Sequence, residues 1–371
     1  MQKKLIHLAV GAALAAGPFM AANADLKVFG HFQIEASSED NDPDAGFVGT
    51  DGAVVQALNR GESGDPGCSA GTSCITLEDN QRGRFGFHAT EDLGNGLTAL
   101  AHYETQVDTA TANLTEGNRE SYVGLKGNFG TFQAGSLKSA YKYTGGVKYD
   151  PFVTTNLEAR RYGGMVTGRF GQNSFMRNSL AYISPSFNGL KLWLTYSPDE
   201  GGTGNGAGTD DGDYSLAVKF GQGPFEVFFA STGDDGGDER TGIPDGPDFS
   251  LNKIGGKFSM GPHTILGQWE DGTLDGIGGL PDTDLNVLFL GYHFKFGQNL
   301  FVAQFGDGQV ENDLAAVDQE DTYWAIGAIH KFSKKTRIFG GYRSTDVENG
   351  ALVSGSDGEG SAFTVGMRVD F

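Results

Sequence analysis

The sequence predicts an all-β chain, with sixteen antiparallel strands closed into a transmembrane β-barrel. Three observations lead there. The last eleven residues alternate: Phe363, Val365, Met367, Val369 and Phe371 share one face of an extended strand, while Ala362, Thr364, Gly366, Arg368 and Asp370 share the other. Segments of this kind recur along the chain, joined by connections that alternate between short turns and long Gly/Asp-rich loops. No stretch after the N-terminus approaches the roughly 20 consecutive apolar residues that a membrane-spanning helix needs. In lipid every backbone N–H and C=O must be paired internally, so a sheet survives there only without a free edge.

The N-terminus reads as a secretory leader. Lys3 and Lys4 precede an apolar run from Leu5 to Gly17 and a small-residue cleavage site at Ala22-Asn23-Ala24. Residues 1–24 are therefore assigned to a signal peptide and 25–371 to the barrel. The first strand, Asp25–Ser38, sets Leu26, Val28, Phe32 and Ile34 against Lys27, His31, Gln33 and Glu35. There follow Gln81–Glu91, Leu97–Val107, Asn118–Lys126, Thr131–Lys138, Met176–Pro185, Leu190–Pro198 and Asp213–Phe220. The second half continues with Pro224–Thr232, Phe249–Ser259, Pro262–Asp271, Asp284–Lys295, Asn299–Gly306, Asp321–Phe332, Thr336–Asp346 and Ser361–Phe371.

Connections after even strands are short, as at Gly127–Gly130 and Met260-Gly261, whereas those after odd strands are long, as at Asp199–Gly212. A soluble sandwich has short strands too, but gives no reason for strict long–short alternation. Aromatics near strand ends, including Phe29, Tyr103, Tyr122, Tyr292 and Trp324, suit interfacial girdles. Gly is abundant at 59 residues, which fits bending walls and close packing in a lumen. The formal charge of −20 argues against nucleic acid as a partner. It fits loops that meet lipopolysaccharide through bridging divalent cations. Cys68 and Cys74 lie close together in a polar stretch, and in an oxidising compartment they suit a local disulfide; a metal site there lacks further ligands.

Three arginines occupy similar places on even strands: Arg84 in Arg84-Phe85-Gly86-Phe87, Arg119 in Arg119-Glu120-Ser121-Tyr122, and Arg177 in Arg177-Asn178-Ser179. With Phe85 and Phe87 facing lipid, Arg84 faces the lumen, and His31 shares that parity. These segments, with Ala134-Gly135-Ser136-Leu137-Lys138 and the terminal strand ending in Phe371, resemble the general trimeric porins of Gram-negative bacteria over essentially the whole mature length. The resemblance implies an outer-membrane homotrimer whose third loop, here Ser139–Phe175, folds inward. It implies a basic wall of Arg84, Arg119, Arg177 and His31 opposite loop carboxylates, for which Asp150 and Glu158 are the candidates. The loop also carries Lys142, Lys148, Arg160, Arg161 and Arg169, and the Pro-Glu-Phe-Gly-Gly-Asp motif of enterobacterial members is absent, so the ion preference stays open. Strict alternation from Arg119 sends Glu120 outward, to headgroup height or a subunit interface.

Chemistry-bearing motifs are missing. There is no His-x-x-x-His, Gly-x-Ser-x-Gly, P-loop or dinucleotide fingerprint, so no catalytic residue, metal or cofactor is assigned. The expected function is a passive water-filled channel for small hydrophilic solutes and ions. The alternatives are a substrate-specific channel with a site at the same constriction, and an outer-membrane adhesin or receptor using the acidic loops.

Overall fold

The computed structural model describes residues 24–41, 73–79, 83–112, 114–115, 119–166, 175–198, 212–234, 249–275, 282–312, 318–348 and 358–371. The expected leader, 1–24, lies outside them except for Ala24. We number the wall by position: β1 (Ala24–Asn41), β2 in two pieces (Ser73–Glu78 and Gly83–Gly94), β3 (Leu97–Val107) and β4 in two pieces (Leu114–Thr115 and Ser121–Gly127). Then come β5 (Gly130–Lys138), β6 (Phe175–Ile183), β7 (Leu190–Ser197), β8 (Asp213–Gln222), β9 (Phe225–Asp234) and β10 (Phe249–Met260). The wall is completed by β11 (His263–Leu274), β12 (Thr283–Phe296), β13 (Asn299–Asn312), β14 (Gln319–Lys331), β15 (Thr336–Glu348) and β16 (Gly358–Asp370).

Both pieces of β2 pair with β1, one over Ala24–His31 and the other over Glu35–Asp40, so they occupy one position in the wall. The pieces of β4 share β3 in the same way. Sixteen positions result, every neighbour is antiparallel, and β1 pairs with β16 from His31↔Asp370 to Asn41↔Gly360. The backbone N–H of Phe371 extends that ladder by donating to the Gly30 carbonyl at 3.0 Å. A Cβ on Gly30 would stand 2.3 Å from the Arg84 carbonyl and 2.5 Å from the Phe371 ring, so only glycine fits at the seam.

The two faces follow the sequence pattern. On β16, Phe363 is 55 % exposed and Val365 51 %, while Thr364 between them is fully buried. The same inversion recurs around the wall, with Phe87, Val123, Ile254, Leu290 and Ile326 outside and Gln33, Glu35, Glu104, Gln268 and Thr345 inside. A continuous apolar exterior of this kind is unfavourable in water and is what a hydrocarbon solvent selects. Phe29 and Tyr122 correct the girdle expectation. Both point inward and stack on the His102 ring, at centroid distances of 5.2 and 5.0 Å. Phe29 has the parity of His31, and the alternation of β1 accounts for its place.

The apolar core lies between the wall and the segment 139–166. This segment opens with a one-turn helix α1 (Ala140–Tyr143), whose first turn is capped by the Ser139 hydroxyl accepting from the Lys142 N–H. From there it crosses the buried faces of many strands. Tyr141 N–H donates to Ser215 on β8, and Lys253 on β10 donates to the Tyr141 carbonyl. Gly146 N–H donates to Gln268 on β11, Gln304 on β13 donates to Asp150, and Arg343 on β15 donates to the Asn156 carbonyl at 2.7 Å. Asn156 in turn donates to Glu35 and Glu39 on β1. Phe152 and Leu157, both fully buried, pack on Val302, Ile329 and Phe339 of the wall. Backbone meets backbone at Gly306 on β13, where a Cβ would stand 2.3 Å from Gly164 Cα.

Candidate pore constriction

Between this segment and the first and last strands lies a cavity of about 560 Å³. Four of its cationic lining residues come from the wall: Arg84 on β2, Arg119 just ahead of the longer piece of β4, Arg337 on β15 and Arg368 on β16. Lys142, Lys148 and Arg160 come from the crossing segment. The remaining described lining residues are uncharged, and no Asp or Glu is among them.

Glu104, inward-facing on β3 and 5 % exposed, explains how two arginines sit so close. Its Oε1 lies 3.6 Å from Arg84 Nη1 and also pairs with Arg119 Nε. One carboxylate thus serves two guanidiniums, leaving one positive charge in excess. Aromatic faces flank two other cations. Lys142 Nζ lies 3.9 Å from the Phe175 ring centroid, and Lys148 Nζ 4.5 Å from that of Tyr143. A ring quadrupole attracts an ammonium yet leaves its full charge in place. Burial, with Lys138 and Arg84 nearby, holds the Lys148 ammonium below the usual lysine range.

The sequence-derived site residues divide. Arg84 and Arg119 line the cavity; Arg177, His31, Asp150 and Glu158 are not among its lining residues. Arg177 adjoins a break in alternation: Asn178 has φ 49, and the β5–β6 register shifts between Gly135 and Leu137. Equal depth on even strands presumes regular alternation, which fails there. His31 is 2 % exposed, lying opposite Arg84 and Asp370, with Nδ1 3.9 Å from Asp370 Oδ1.

The two loop acids staple the segment to itself. Asp150 accepts from Phe152 N–H, Ala159 N–H and Gln304 Nε2 at 2.7–2.9 Å. Burial outweighs these three bonds and pushes its carboxyl up to about 6. Glu158 accepts from Thr154 N–H and pairs with Arg160 and Arg161. Neither carboxylate stands across the cavity from the arginines.

Glu120 is corrected as well. It is 7 % exposed and pairs with Lys138 inside the barrel. Val123 and Leu125 on the longer piece of β4 face outward, so alternation turns Glu120 inward, whereas Arg119, ahead of that piece, turns inward against the count. A subunit interface at Glu120 is thereby withdrawn. Cys74 lies on the first piece of β2, opposite Glu39, and is not a free thiol; Cys68 lies outside the described residues.

Arg337 adds a cation to the wall beyond those that the sequence resemblance implies. Alternation offered a signal: Ile338 and Tyr342 face outward, which turns Arg337 and Arg343 in. Lys142, Lys148 and Arg160 were visible as loop cations, but nothing periodic said where they pointed.

The sequence profile described as Gram-negative porin matches residues 8–350. The chain belongs to the Gram-negative porin family. As a member it is an outer-membrane protein. This porin is 33 % identical to the major outer membrane protein P.IB of Neisseria gonorrhoeae over 209 residues, 56 % of this chain and 51 % of that protein. It thus spans about half the length of that curated relative. With outer membrane porin protein 32 of Delftia acidovorans it shares 27 % identity over 92 % of this chain and 88 % of that one. Among solved structures, the anion-selective porin from Comamonas acidovorans superposes with a TM-score of 0.68 at 20 % identity, covering 94 % of this chain and all of that one, a likeness of fold.

Proposed function

We propose that this porin is a water-filled channel for passive diffusion of small hydrophilic solutes and ions, with anions favoured at its constriction. One observation carries the preference: among the described residues, every charged one that lines the cavity is cationic, in a chain whose formal charge is −20. Local charge at a narrow, low-dielectric passage governs which ion enters, whatever the net charge of the whole. The solved porin from Comamonas acidovorans is described as anion-selective, which supports the same reading.

In this proposal 139–166 is the inward third loop, Arg84 and Arg119 are the basic wall, and Asp150 and Glu158 hold the loop rather than face the stream. A Cys68–Cys74 disulfide pinning the loop after β1, removal of residues 1–24, and acidic loops bridged to lipopolysaccharide by divalent cations belong to it too. So does assembly as a homotrimer. The channel works by charge and size and carries out no reaction.

Planar-bilayer recording in a KCl gradient tests it. The expected zero-current potential has the sign of chloride preference, and closures come in three equal steps. A cation-preferring or unselective channel would sink the proposal, and closures in a single step would remove the trimer.

A further inference from the structure

We propose that the short-turn mouth of the barrel carries a binding row for multiply charged oxyanions, formed by Lys331, Arg337 and Arg368; this rests on the anion-conducting reading above. The row comes from the register. Lys331 on β14 lies directly opposite Arg337 on β15, and Arg337 directly opposite Arg368 on β16. Directly opposed residues of antiparallel strands project to the same face. Arg337 and Arg368 line the cavity, so Lys331 stands on the lumen side as well. At a strand spacing of about 4.8 Å, three cations follow one another across three strands.

Like charges directly opposite one another destabilise a strand pair, and this wall does it twice in succession. Asp370 offsets part of the repulsion, accepting from Arg368 Nε and Nη2 at 2.9 and 2.7 Å. Among the described residues, Lys331 and Arg337 have no ion-pair partner. On β1 the residue opposite Arg368 is the uncharged Gln33. The row therefore holds cationic charge that the described residues do not fully neutralise, beginning at an exposed lysine beside the β14–β15 turn and ending at the cavity.

The spacing selects valence. A chloride ion offsets one of these charges at a time, whereas an oxyanion with several anionic oxygens can bridge two neighbours. Arginine suits this, since its planar fork donates two parallel hydrogen bonds to such groups. Lys331, a compact charge on a flexible stem, stands where a solute first meets the row. Because the row faces the lumen, its ligand is a dissolved solute and not a bilayer headgroup.

Inorganic pyrophosphate is the probe, added to either side of single channels recorded in KCl. It is expected to reduce the chloride current saturably, and at lower concentration from one side than from the other. Lys331→Gln should weaken this block about threefold, the scale of one exposed ion contact. Arg337→Gln should weaken it about tenfold, the scale of a charge-assisted hydrogen bond. Lys331→Arg should restore the block, and Lys331→Gln, outside the cavity lining, should leave the KCl zero-current potential on the chloride side. The row is overturned if pyrophosphate reduces the wild-type current no more than chloride of equal ionic strength, or if both glutamine variants are blocked as strongly as wild type. A wild-type channel without chloride preference would overturn the anion reading and the row with it.

Discussion

Arg84→Gln with Arg119→Gln is expected to move the zero-current potential in a KCl gradient strongly toward cations. Adding Lys142→Gln and Lys148→Gln should reverse its sign. The double change removes two positive charges and also strips Glu104 of the two guanidiniums that pair with it. Leaving such a carboxylate buried and unpaired costs about 3–5 kcal/mol, so the double variant should also assemble less well. Glu104→Gln in the same background separates the two effects: it restores assembly and returns one charge, giving a smaller shift. An unchanged potential in all these variants would remove Arg84 and Arg119 from the constriction.

The second large effect concerns the crossing segment. Glu270 on β11, fully buried, accepts from the Tyr141 hydroxyl and from Val166 N–H, which lie at the two ends of that segment, and from Gln268. Hydrogen bonds to a charged acceptor contribute about 1.5–3 kcal/mol each. Glu270→Ala should therefore loosen both ends together. We expect a larger single-channel conductance, more frequent spontaneous closures, and cleavage within 139–166 by added protease. Glu270→Gln, which keeps an acceptor oxygen, should be milder, and Tyr141→Phe should free one end only. The wall itself should still close, because the Glu270 carboxylate takes no part in the backbone ladder, and heat-modifiable migration on a gel reads that directly. Wild-type conductance and protease resistance in Glu270→Ala would show that the segment is held elsewhere.

What could be read from the chain follows from periodicity. A strand has a period of two, so Phe363 and Thr364 declare their faces without any knowledge of neighbours. The same rule places Arg84 and, applied to β15, Arg337. It fails where the backbone leaves the period. Glu120 turns inward in phase with β4, while Arg119, ahead of its regular part, turns inward too. Arg177 sits beside Asn178, whose positive φ breaks the count.

The crossing segment has no period at all. Its cations and acids were visible as residue types, but their directions depend on contacts with strands more than a hundred positions away, such as Asp150 with Gln304. The resemblance sets its acids, Asp150 and Glu158, opposite the basic wall of the strands. The geometry instead uses the acids to satisfy backbone N–H groups of the segment, and sets Lys142, Lys148 and Arg160 at the cavity.

The seam between Gly30 and Phe371 also sets an order of events. Joining these residues directly from a disordered chain would close a loop of a few hundred residues, at an entropic cost of about 5 kcal/mol. Formed instead after every neighbouring hairpin has zipped, the same contact costs little, because the wall already brings its edges together. Until the seam forms, both edge strands present unpaired backbone to whatever is near. A chaperone that shields the ends of this chain would protect it during that interval.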